Sequence, residues 1–397
     1  MNDYLPVLFA LIIAAAALQQ HFILSILYLI TGLYIVGRWW SRRSLNNLSL
    51  ERVYTPNAFL DQDVQVELEI KNRGLLPVVW VRLHESLPLE LASPNFFRQV
   101  LSLLWRGQTR LTYNLHTHKR GCYALGPLFL TNGDLLGITP ENNREVTSDY
   151  LTVYPKIIPI PSLNLSSRSP FGTIRHSNPI FEDTSRIIGK RDYRPGDSLR
   201  RVDWKTTAVT GRLQVKQYEA SIALETHIFL DLDKRTYLRQ NWFDASELAI
   251  VCAASLANWS NTHKQAVGLC TNGLDFHLNP KGQIPRALPP HKGSGHLMSV
   301  LETLARVQCA ETQPFSQMIE QNMANLSWGT TMLLITGQYD QNLLQIMFQA
   351  RRMGLQPAVF LIGASVALQE ARREAGHFGF PVFIIQYADD LLALSAH

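Results

Sequence analysis

The sequence predicts a multidomain protein in which an N-terminal transmembrane hairpin precedes a β-sandwich and a doubly wound α/β domain. Three patterns indicate this order: an uncharged apolar run near the N-terminus, alternation of apolar and polar residues after it, and alternating strand-like and helix-like segments in the C-terminal half. The 397 residues also exceed the usual length of one domain. We therefore divide the chain into a membrane anchor at 1–43, a β-sandwich at 48–153, a linker with a charged segment at 154–220, and an α/β domain at 221–397.

The apolar run extends from residue 5 to residue 37 without a charged side chain, and Gln19, Gln20 and His21 interrupt it near its middle. Its 33 residues allow one long tilted span or two short helices that turn at these three residues. We favour the hairpin, because two glutamines and a histidine are costly at the centre of a bilayer and are easily solvated at its surface. A cleaved signal peptide fits poorly, since no basic residue precedes the run.

Basic and aromatic residues follow the apolar run directly, in the sequence Arg38-Trp39-Trp40-Ser41-Arg42-Arg43. Such residues mark a membrane surface, and arginines at the end of a span favour the cytosolic side. The four cysteines, Cys122, Cys252, Cys270 and Cys309, are scattered, as is typical of a reducing compartment. The sequence thus predicts a protein of the cytoplasmic (inner) membrane whose soluble domains face the cytosol.

Between residues 50 and 150, apolar and polar residues alternate, as in Val64-Gln65-Val66-Glu67-Leu68-Glu69-Ile70. This predicts half-buried antiparallel strands, with others at 78–84, 109–117 and 123–131, and hence a small β-sandwich. His116 and His118 share one strand face, but no carboxylate or cysteine joins them at a spacing typical of a metal site. We interpret them as surface histidines.

The proline-rich stretch 154–179 is predicted to be an irregular connector. After it, apolar runs at 226–233, 266–271, 331–337, 356–363 and 382–386 predict buried parallel strands, and helices are predicted between them at 245–262, 296–307, 341–353 and 367–376. Ligands of doubly wound folds bind at the carboxyl ends of the strands. The candidate ligand-binding loop is therefore Asp231-Leu232-Asp233, at the end of the first strand.

The charged segment, residues 182–219, carries nine basic and six acidic residues of interleaved sign. Interleaving favours internal ion pairs over an exposed anion-binding patch. Arg194-Pro195-Gly196-Asp197 is a turn sequence whose aspartate could cap the next helix, and Arg200, Val202, Trp204 and Ala208 fit one short helix. Two interpretations stay open: a folded ion-pair hub that joins two domains, and a partner-binding surface.

The motif inside this segment is specific. It reads Arg191-x-Tyr193-x-Pro195-Gly196-Asp197-x-x-Arg200-x-Val202-x-Trp204-Lys205-x-Thr207-Ala208, followed by Leu213-x-Val215-Lys216 and Tyr218-Glu219. It resembles the signature of the family catalogued as domain of unknown function 58, and a stretch Arg120-Gly121-x-Tyr123 before Asp134-Leu135-Leu136-Gly137 extends the resemblance upstream. One departure is Val209, which stands where the family often has an arginine.

The resemblance implies a short membrane hairpin, a β-sandwich and a domain similar to von Willebrand factor A. Through the usual gene neighbourhood of the family, it also implies a MoxR-type AAA+ ATPase as a partner. The candidate residues for a partner-binding or structural hub are Arg191, Tyr193, Pro195, Gly196, Asp197, Arg200, Asp203, Trp204 and Lys205.

The resemblance also raises the question of a metal site. A von Willebrand A domain that holds a divalent ion resembles Asp-x-Ser-x-Ser after its first strand. Here Asp231 is kept, but Asp233 and Arg235 stand at the serine positions, and Gly337 follows Thr336 where the active version resembles Ser-Asp. Because an arginine brings positive charge to the ion's position, we expect Arg235 to pair with Asp231 or Asp233. We therefore predict a degenerate loop of Asp231, Asp233 and Thr336 that holds no metal.

No nucleophile elbow, zinc-protease motif or dinucleotide fingerprint occurs in the sequence. We therefore predict a non-enzymatic adaptor without a cofactor, anchored in the lipid bilayer through residues 5–37. The family resemblance further implies that it works with a MoxR-type AAA+ ATPase in a chaperone-like or envelope-related role. The alternative is a metal-assisted hydrolase that uses Asp231, Asp233 and a histidine such as His277 or His291. Nucleic-acid binding is not expected, because the net charge is only +5 and Arg38 to Arg43 are explained by membrane topology.

Overall fold

The computed structural model describes residues 5–17, 21–91, 96–134, 137, 141–161, 163, 182–195, 197–220, 225–277, 279, 281–363 and 366–395. The chain forms two compact units, one of residues 1–156 with 301–307 and one of residues 157–300 with 308–397. The predicted turn at Gln19 and Gln20, most of the proline-rich connector, Gly196, and Leu135-Leu136 lie outside the described residues.

Two helices open the chain, α1 at Leu5–Ala17 and α2 at His21–Asn46, and they contact each other. Among the described residues, α2 is long and apolar enough to cross a membrane, whereas α1 has only 13 residues. Large apolar side chains on α2 are exposed, with Phe22 at 78%, Tyr28 at 60% and Leu29 at 66%. Two helices, one ending at Ala17 and the other beginning at His21, agree with the predicted arrangement, and their insertion into a membrane stays a prediction.

Helix α2 continues past the predicted end of the anchor at residue 43. Its last turns belong to the folded core, where Ser41, Ser44 and Leu45 are buried. The amide of Asn132 donates to the carbonyl of Ser41 at 2.9 Å and to the hydroxyl of Ser44 at 3.2 Å. Asn142 donates to the Ser41 hydroxyl at 2.6 Å. The apolar helix and the sandwich are therefore joined without a linker.

The strands of the first unit form a β-sandwich, as the sequence predicts. They are β1 (Leu48–Val53), β2 (Asn57–Phe59), β3 (Asp63–Asn72), β4 (Val78–Ser86), β5 (Phe96–Leu103), β6 (Gln108–His116), β7 (Gly121–Leu125), β8 (Leu128–Asn132), β9 (Asn142–Val146) and β10 (Asp149–Tyr154). The sheets have the orders β1-β3-β6, β2-β10-β7 and β5-β4-β8-β9. Their shared core contains the alternating residues of β3, Val64 to Ile70, together with Val81 and Leu83 of β4 and Leu130 of β8.

The prediction of one strand over 123–131 is wrong, because β7 and β8 belong to different sheets. The chain changes sheets at Gly126, whose φ of +106° suits a residue without a side chain, and Pro127 cannot donate to a ladder. Gly126-Pro127 is a turn sequence, and it marks this break although the prediction ran one strand through it.

The elements after residue 181 begin with a hairpin of β11 (Glu182–Asp192) and β12 (Gln214–Ala220), which encloses a 3₁₀ turn at Leu199–Arg201 and helix α3 (Trp204–Thr210). The remaining elements are β13 (Glu225–Leu230), α4 (Trp242–Thr262), β14 (Ala266–Thr271), β15 (Leu274–Asp275), β16 (Leu288–His291), α5 (Ser294–Arg306), β17 (Val307–Gln308), α6 (Phe315–Met323), β18 (Thr331–Thr336), α7 (Gln341–Arg352), β19 (Gln356–Ile362), α8 (Val366–His377) and β20 (Val382–Ile385). Further 3₁₀ turns lie at Lys234–Thr236, Ala388–Leu391 and Ala393–Ser395.

A six-stranded sheet of order β16-β14-β13-β18-β19-β20 organises the second unit. All neighbouring strands are parallel except β16, which pairs antiparallel with β14 at one edge. Phe229 and Met332 pack with α6 and α7 on one face, and the alternate residues Ile228 and Leu333 are also fully buried, so both faces are covered. The five predicted strands and four predicted helices are confirmed within a few residues.

The sequence prediction misses the hairpin of β11 and β12, the short strands β15 and β17, and also β16 and α6. Strand β16 contains Pro289 and Pro290, which indicate a loop, but prolines are tolerated in an edge strand because one side of its ladder is unpaired. Before the sheet, the described part of the connector has no regular structure. It is held in the second unit by the buried side chains of Ile158 and Ile160 and by a hydrogen bond from the Ile158 amide to Ser255 Oγ at 3.0 Å.

Candidate functional site

The first candidate site lies where three neighbouring parallel strands end. Asp231 follows the central strand β13, Asn272 follows β14 on one side, and Thr336 ends β18 on the other. The strand order reverses direction at β13, because β14, the next strand in the chain, lies on one side of it and β18, β19 and β20 lie on the other. This is the position at which doubly wound sheets bind ligands. We call Asp231, Asn272, Thr336 and Tyr237 the Asp231 site.

The carboxylate of Asp231 is fully buried and already accepts hydrogen bonds on both oxygens. Asn272 Nδ2 donates to Oδ1 at 3.0 Å, the backbone amide of Asp233 donates to the same oxygen at 3.1 Å, and Thr336 Oγ1 donates to Oδ2 at 2.8 Å. The Tyr237 hydroxyl donates to the Asp231 carbonyl at 2.5 Å. Asp231 therefore fastens three strand ends and a covering tyrosine together.

This donor set does not fit a divalent cation. A cation needs oxygen lone pairs directed at it, whereas those of Asp231 receive an amide, a hydroxyl and a backbone N–H. The Tyr237 ring packs directly against Gly337, where a Cβ would lie 2.5 Å from it. Burial raises the pKa of the Asp231 carboxyl, although its hydrogen-bond donors oppose the shift, and burial raises the pKa of Tyr237 well above its usual range. We derive no metal chemistry from this site.

The pairing that the sequence predicts for Arg235 is present, and its partner is Asp233. The guanidinium contacts both carboxylate oxygens, with Nε at 3.0 Å from each and Nη2 at 2.6 Å from Oδ2. Arg235 Nη2 also donates to the carbonyl of Thr312 at 2.6 Å. Asp233 is buried, while the Arg235 side chain is 58% exposed. The loop thus presents an arginine to solvent and keeps its acids inside.

The histidines proposed for a hydrolase do not join this site as a pair. His291 pairs with Val267 at the beginning of β14, whereas Asp231 lies beyond the opposite, carboxyl end of the sheet. His277 is exposed, and its backbone amide donates to Asp275. The geometry therefore gives the hydrolase alternative no added support.

The second candidate site is the charged segment, whose ion pairs are internal. The two Nη atoms of Arg191 each donate a hydrogen bond of 2.7 Å to one carboxylate oxygen of Asp197, and the backbone amide of Arg194 donates to the same carboxylate at 2.9 Å. Lys190 lies 2.7 Å from Asp203 and donates to Thr206 at 2.5 Å. Hydrogen bonds from these cations hold the pKa of Asp197 and that of Asp203 at about 2. Two charge-assisted contacts, Arg191 with Asp197 and Lys190 with Asp203, therefore hold this segment together. We call these four residues the ion-pair frame.

The local structure differs from the predicted single helix. The 3₁₀ turn at Leu199–Arg201 ends at Val202, and α3 starts afresh at Trp204 with Asp203 as its N-cap, which accepts from Thr206 N. Asp197 does not cap a helix, because Arg191 and the Arg194 amide occupy its carboxylate. The break lets Val202 turn inward, where it is buried beside Val215.

Outside this frame, the charged segment presents apolar and basic side chains to solvent. Trp204 is 66% exposed, Leu199 is 63% exposed and Val209 is 84% exposed. Arg200 and Lys205 are also exposed. Among the other predicted residues, Tyr193 is half-buried and its amide donates to the Leu213 carbonyl at 2.9 Å, and Pro195 is exposed.

Several residues of both sites were missed by the sequence analysis, namely Asn272 and Tyr237 at the Asp231 site and Lys190 and Thr206 in the charged segment. Asn272 could have been found, since it follows a predicted strand just as Asp231 does. Tyr237 gives no such signal, because only the return of the loop over Asp231 brings its hydroxyl there.

Comparison with protein families identifies part of the chain. Residues 189–352 match the family model described as "Protein of unknown function DUF58". The uncharacterized protein YeaD of Bacillus subtilis is 24% identical over 288 residues, which cover 71% of this chain and 68% of YeaD. The uncharacterized protein Rv1480 of Mycobacterium tuberculosis is 28% identical over 115 residues, 29% of this chain and 34% of Rv1480.

Among solved structures, the CARDB domain of the PF1109 protein from Pyrococcus furiosus is similar to 27% of this chain and 86% of that domain, with 18% identity and a TM-score of 0.21. A β-glucosidase from Listeria innocua matches 27% of this chain and 16% of its own, with 12% identity and a TM-score of 0.18. Scores of this size carry no argument about fold or function.

Proposed function

Through residues 189–352 the chain belongs to the DUF58 family, and from this premise we propose a membrane-anchored, cytosol-facing adaptor without enzymatic activity that works with a MoxR-type AAA+ ATPase. A chaperone-like or envelope-related role follows from the same resemblance. The support for each part of the proposal comes from a different region of the molecule.

The membrane part of the proposal is supported by α2. Its exposed apolar side chains cover the length from Phe22 to Val36, and such a surface needs lipid or another apolar environment. Arg42 and Arg43 are exposed just beyond that stretch, where arginines favour the cytosolic side of an inner membrane. Since the sandwich begins within the same helix, it would lie on that side, directly at the membrane surface.

The adaptor part is supported by the Asp231 site. We infer that the second unit is von Willebrand A-like, because its sheet carries Asp231 at the switch point between β14 and β18 and has one antiparallel edge strand. With the acids of the loop engaged by Asn272, Thr336 and Arg235, the carboxyl edge of the sheet offers a contact surface rather than a reactive group.

The observation that carries the proposal is the exposed face of the charged segment. A tryptophan and arginines are the residue types that contribute most to protein interfaces. Here Trp204 is 66% exposed beside Leu199 at 63%, on a backbone that two ion pairs and a helix cap hold in place. Because the backbone that carries Trp204 is already fixed, little backbone freedom is lost on binding, which favours Trp204 as an anchor residue.

A pull-down from detergent-solubilised membranes, in ATP and in ADP, tests the proposal with the full chain as bait. We expect an AAA+ ATPase to be recovered in one nucleotide state. Trp204→Ala should weaken recovery by roughly 30-fold, the effect of losing a central aromatic anchor. The matched control is Leu89→Ala, which removes a side chain that is 72% exposed in the first unit.

Failure to recover an AAA+ protein in either nucleotide state would overturn the partnership. Recovery by Trp204→Ala equal to that of the control would overturn the assignment of the face. A photo-crosslinker at Arg200 and one at Arg235 then distinguish the charged segment from the carboxyl edge of the sheet. Asp231 itself is unsuited to crosslinking because it is fully buried.

The proposed orientation has its own test. A single cysteine placed at Leu89 in a cysteine-free variant should react with a membrane-impermeant maleimide only after the cells are opened, because this exposed position belongs to the cytosolic unit. Labelling in intact cells would contradict the orientation and leave the partner experiment unaffected.

A further inference from the structure

One end of the sandwich brings together three side chains with metal-ligating atoms. Asp61 lies in the turn between β2 and β3, His116 ends β6, and His118 follows it. One ligand atom from each lies within 4.8 Å of the others. Asp61 is 55 residues away from His116 in the sequence, which is why the two histidines alone gave no metal signal.

The backbone around this cluster is fixed by the residue between the two histidines. Thr117 is fully buried, and its hydroxyl donates to the carbonyl of Phe59 at 2.8 Å and accepts from the amide of Gln62 at 3.0 Å. The amide of Asp61 donates to the Thr117 carbonyl at 2.8 Å, and the amide of Thr117 donates to the Gln62 carbonyl at 3.1 Å. The turn that carries Asp61 is therefore tied to the segment that carries both imidazoles.

A second carboxylate orients one of the imidazoles. His116 Nδ1 lies 2.6 Å from Asp63 Oδ1, so the other ring nitrogen, Nε2, is left as the metal-ligating atom. A carboxylate in this position holds the ring and increases the basicity of the ligating nitrogen, as in many zinc sites of proteins. The ring of His118 is close by, with its centroid 4.5 Å from that of His116.

We propose that Asp61, His116 and His118 bind one Zn²⁺ ion, with Asp63 as the outer carboxylate and a fourth coordination position open to water. Two imidazoles and one carboxylate suit zinc, whereas Mg²⁺ and Ca²⁺ prefer oxygen ligands alone. Neighbouring donors of tetrahedral zinc lie about 3.4 Å apart. The side chains of His118 and Asp61 are exposed, so small rotations can bring the donors, which lie within 4.8 Å of one another, to that spacing.

The ion would connect the β2–β3 turn to the end of β6, two segments that are distant in the sequence. Because folding brings the three ligands together and unfolding separates them, zinc should bind the folded state in preference and raise the thermal stability of the first unit. The conformation of Asp61 agrees with a fixed role, since its φ of +60° is uncommon for a residue with a side chain.

Zinc titration of the full chain in detergent, without a histidine tag, tests the proposal by calorimetry and by metal content after gel filtration. We expect one Zn²⁺ per chain and an increase in melting temperature. Asp63→Asn should weaken binding 10- to 100-fold, the usual effect of losing an outer carboxylate. His118→Ala and Asp61→Asn should weaken it more, because each removes a ligand. Asparagine also accepts the left-handed backbone of position 61.

The matched control is His263→Ala, which removes an exposed histidine of the second unit and should bind zinc like the unchanged protein. Circular dichroism of each variant shows whether it is folded, and the exposed positions of Asp61 and His118 make this the expected result. Absence of zinc binding, or equal affinity in His118→Ala, Asp61→Asn and the control, would overturn the proposal. Equal binding of Mg²⁺ would overturn the assignment to zinc.

Discussion

Aspartates in two regions of the molecule titrate in opposite directions. Asp231, at the end of the central strand of the second unit, is surrounded by neutral donors, and burial raises its pKa. Asp197 and Asp203 lie in the charged segment, where Arg191 and Lys190 hold the pKa of each at about 2. The first carboxylate is part of the core, and the other two hold a surface frame together.

The difference shows that the position of an aspartate in a sequence motif does not by itself tell what its carboxylate does. A buried carboxylate that accepts hydrogen bonds from neutral donors contributes to the stability of the fold, because water cannot replace it as their acceptor when it is removed. A group at the surface pairs with a cation that water and salt can replace. Substitutions should therefore affect the two regions very differently.

The largest effect is expected from Asp231→Ala. It leaves the amide of Asn272, the hydroxyl of Thr336 and the amide of Asp233 buried without an acceptor. Each such group typically costs about 1–3 kcal/mol, so the opening free energy of β13 should fall by roughly 3 kcal/mol or more. Hydrogen exchange of peptides from β13 measures it, with the exposed Asp389→Ala as control. A loss below about 1 kcal/mol would mean that water replaces the carboxylate.

The imidazole of His227 is a second buried group on β13, and it differs from the Asp231 carboxylate because it lacks a hydrogen-bond partner among the described residues. Among the described residues, neither ring nitrogen of His227 has a hydrogen-bond partner, and burial lowers the pKa of the imidazole to about 4. The unfolded chain takes up this proton near pH 6.5. The stability associated with the neutral ring is therefore fully present above pH 6.5 and is lost as the pH falls from there towards 4.

Between pH 7 and pH 5, this linkage should lower the stability of the second unit by about 2 kcal/mol. His227→Leu should remove most of that pH dependence, as measured by urea unfolding of the full chain at several pH values. A variant with the same pH profile as the unchanged protein would show that His227 takes up its proton without unfolding. His377→Leu, at an exposed position, is the control.

Acid should loosen the charged segment, because the pKa values of its aspartates are shifted in the opposite direction to that of Asp231. The pKa values of Asp197 and Asp203 are lowered, so the stability from their ion pairs is present above about pH 4 and is lost as the pH falls towards 2. Asp231 has a raised pKa, so protonation relieves its burial instead. In the His227→Leu variant, where β13 no longer responds to acid through that imidazole, hydrogen exchange corrected for intrinsic rates should show residues 190–216 losing protection before β13. The reverse order would contradict the assignment.

The smallest effect is expected from Asp197→Ala at neutral pH. Arg191 is close to solvent and can be hydrated when its partner is lost, so global unfolding should not change measurably. Exchange should increase only in the turn around Arg194, whose amide loses its acceptor. A clear change in the unfolding midpoint would show that the charged segment contributes to the core of the second unit.

Much of the fold could be predicted from the sequence, because it depends on local patterns. The runs that become β13, β14, β18 and β19 are apolar on both faces, and β3 alternates with period two, as the structure confirms. The break at Gly126 and the edge strand β16 depend on which sheet a segment joins. That choice is made by tertiary contacts and leaves no periodic signal.

The candidate sites show the same limit. The pair of Arg235 with Asp233, two positions apart, was predicted from the sequence. The pair of Arg191 with Asp197 was not, because the turn sequence indicated a helix cap for Asp197. The hydrogen bond from Tyr237 to the Asp231 carbonyl depends on the course of a loop, and the approach of Asp61 to His116 depends on sheet pairing. Their chemistry is visible only once the chain is folded.

Because α2 continues directly into the sandwich, the rotation of the sandwich about the helix axis is fixed as well as its distance along that axis. Each residue of a helix turns it by about 100° and advances it by about 1.5 Å. Because Ser41 and Ser44 are bonded to Asn132, the lipid-facing side of α2 and the orientation of the sandwich are set by the same rotation. Inserting one residue near Gly37 would therefore turn the sandwich by more than a quarter of a circle about the helix axis, with no linker to absorb the twist.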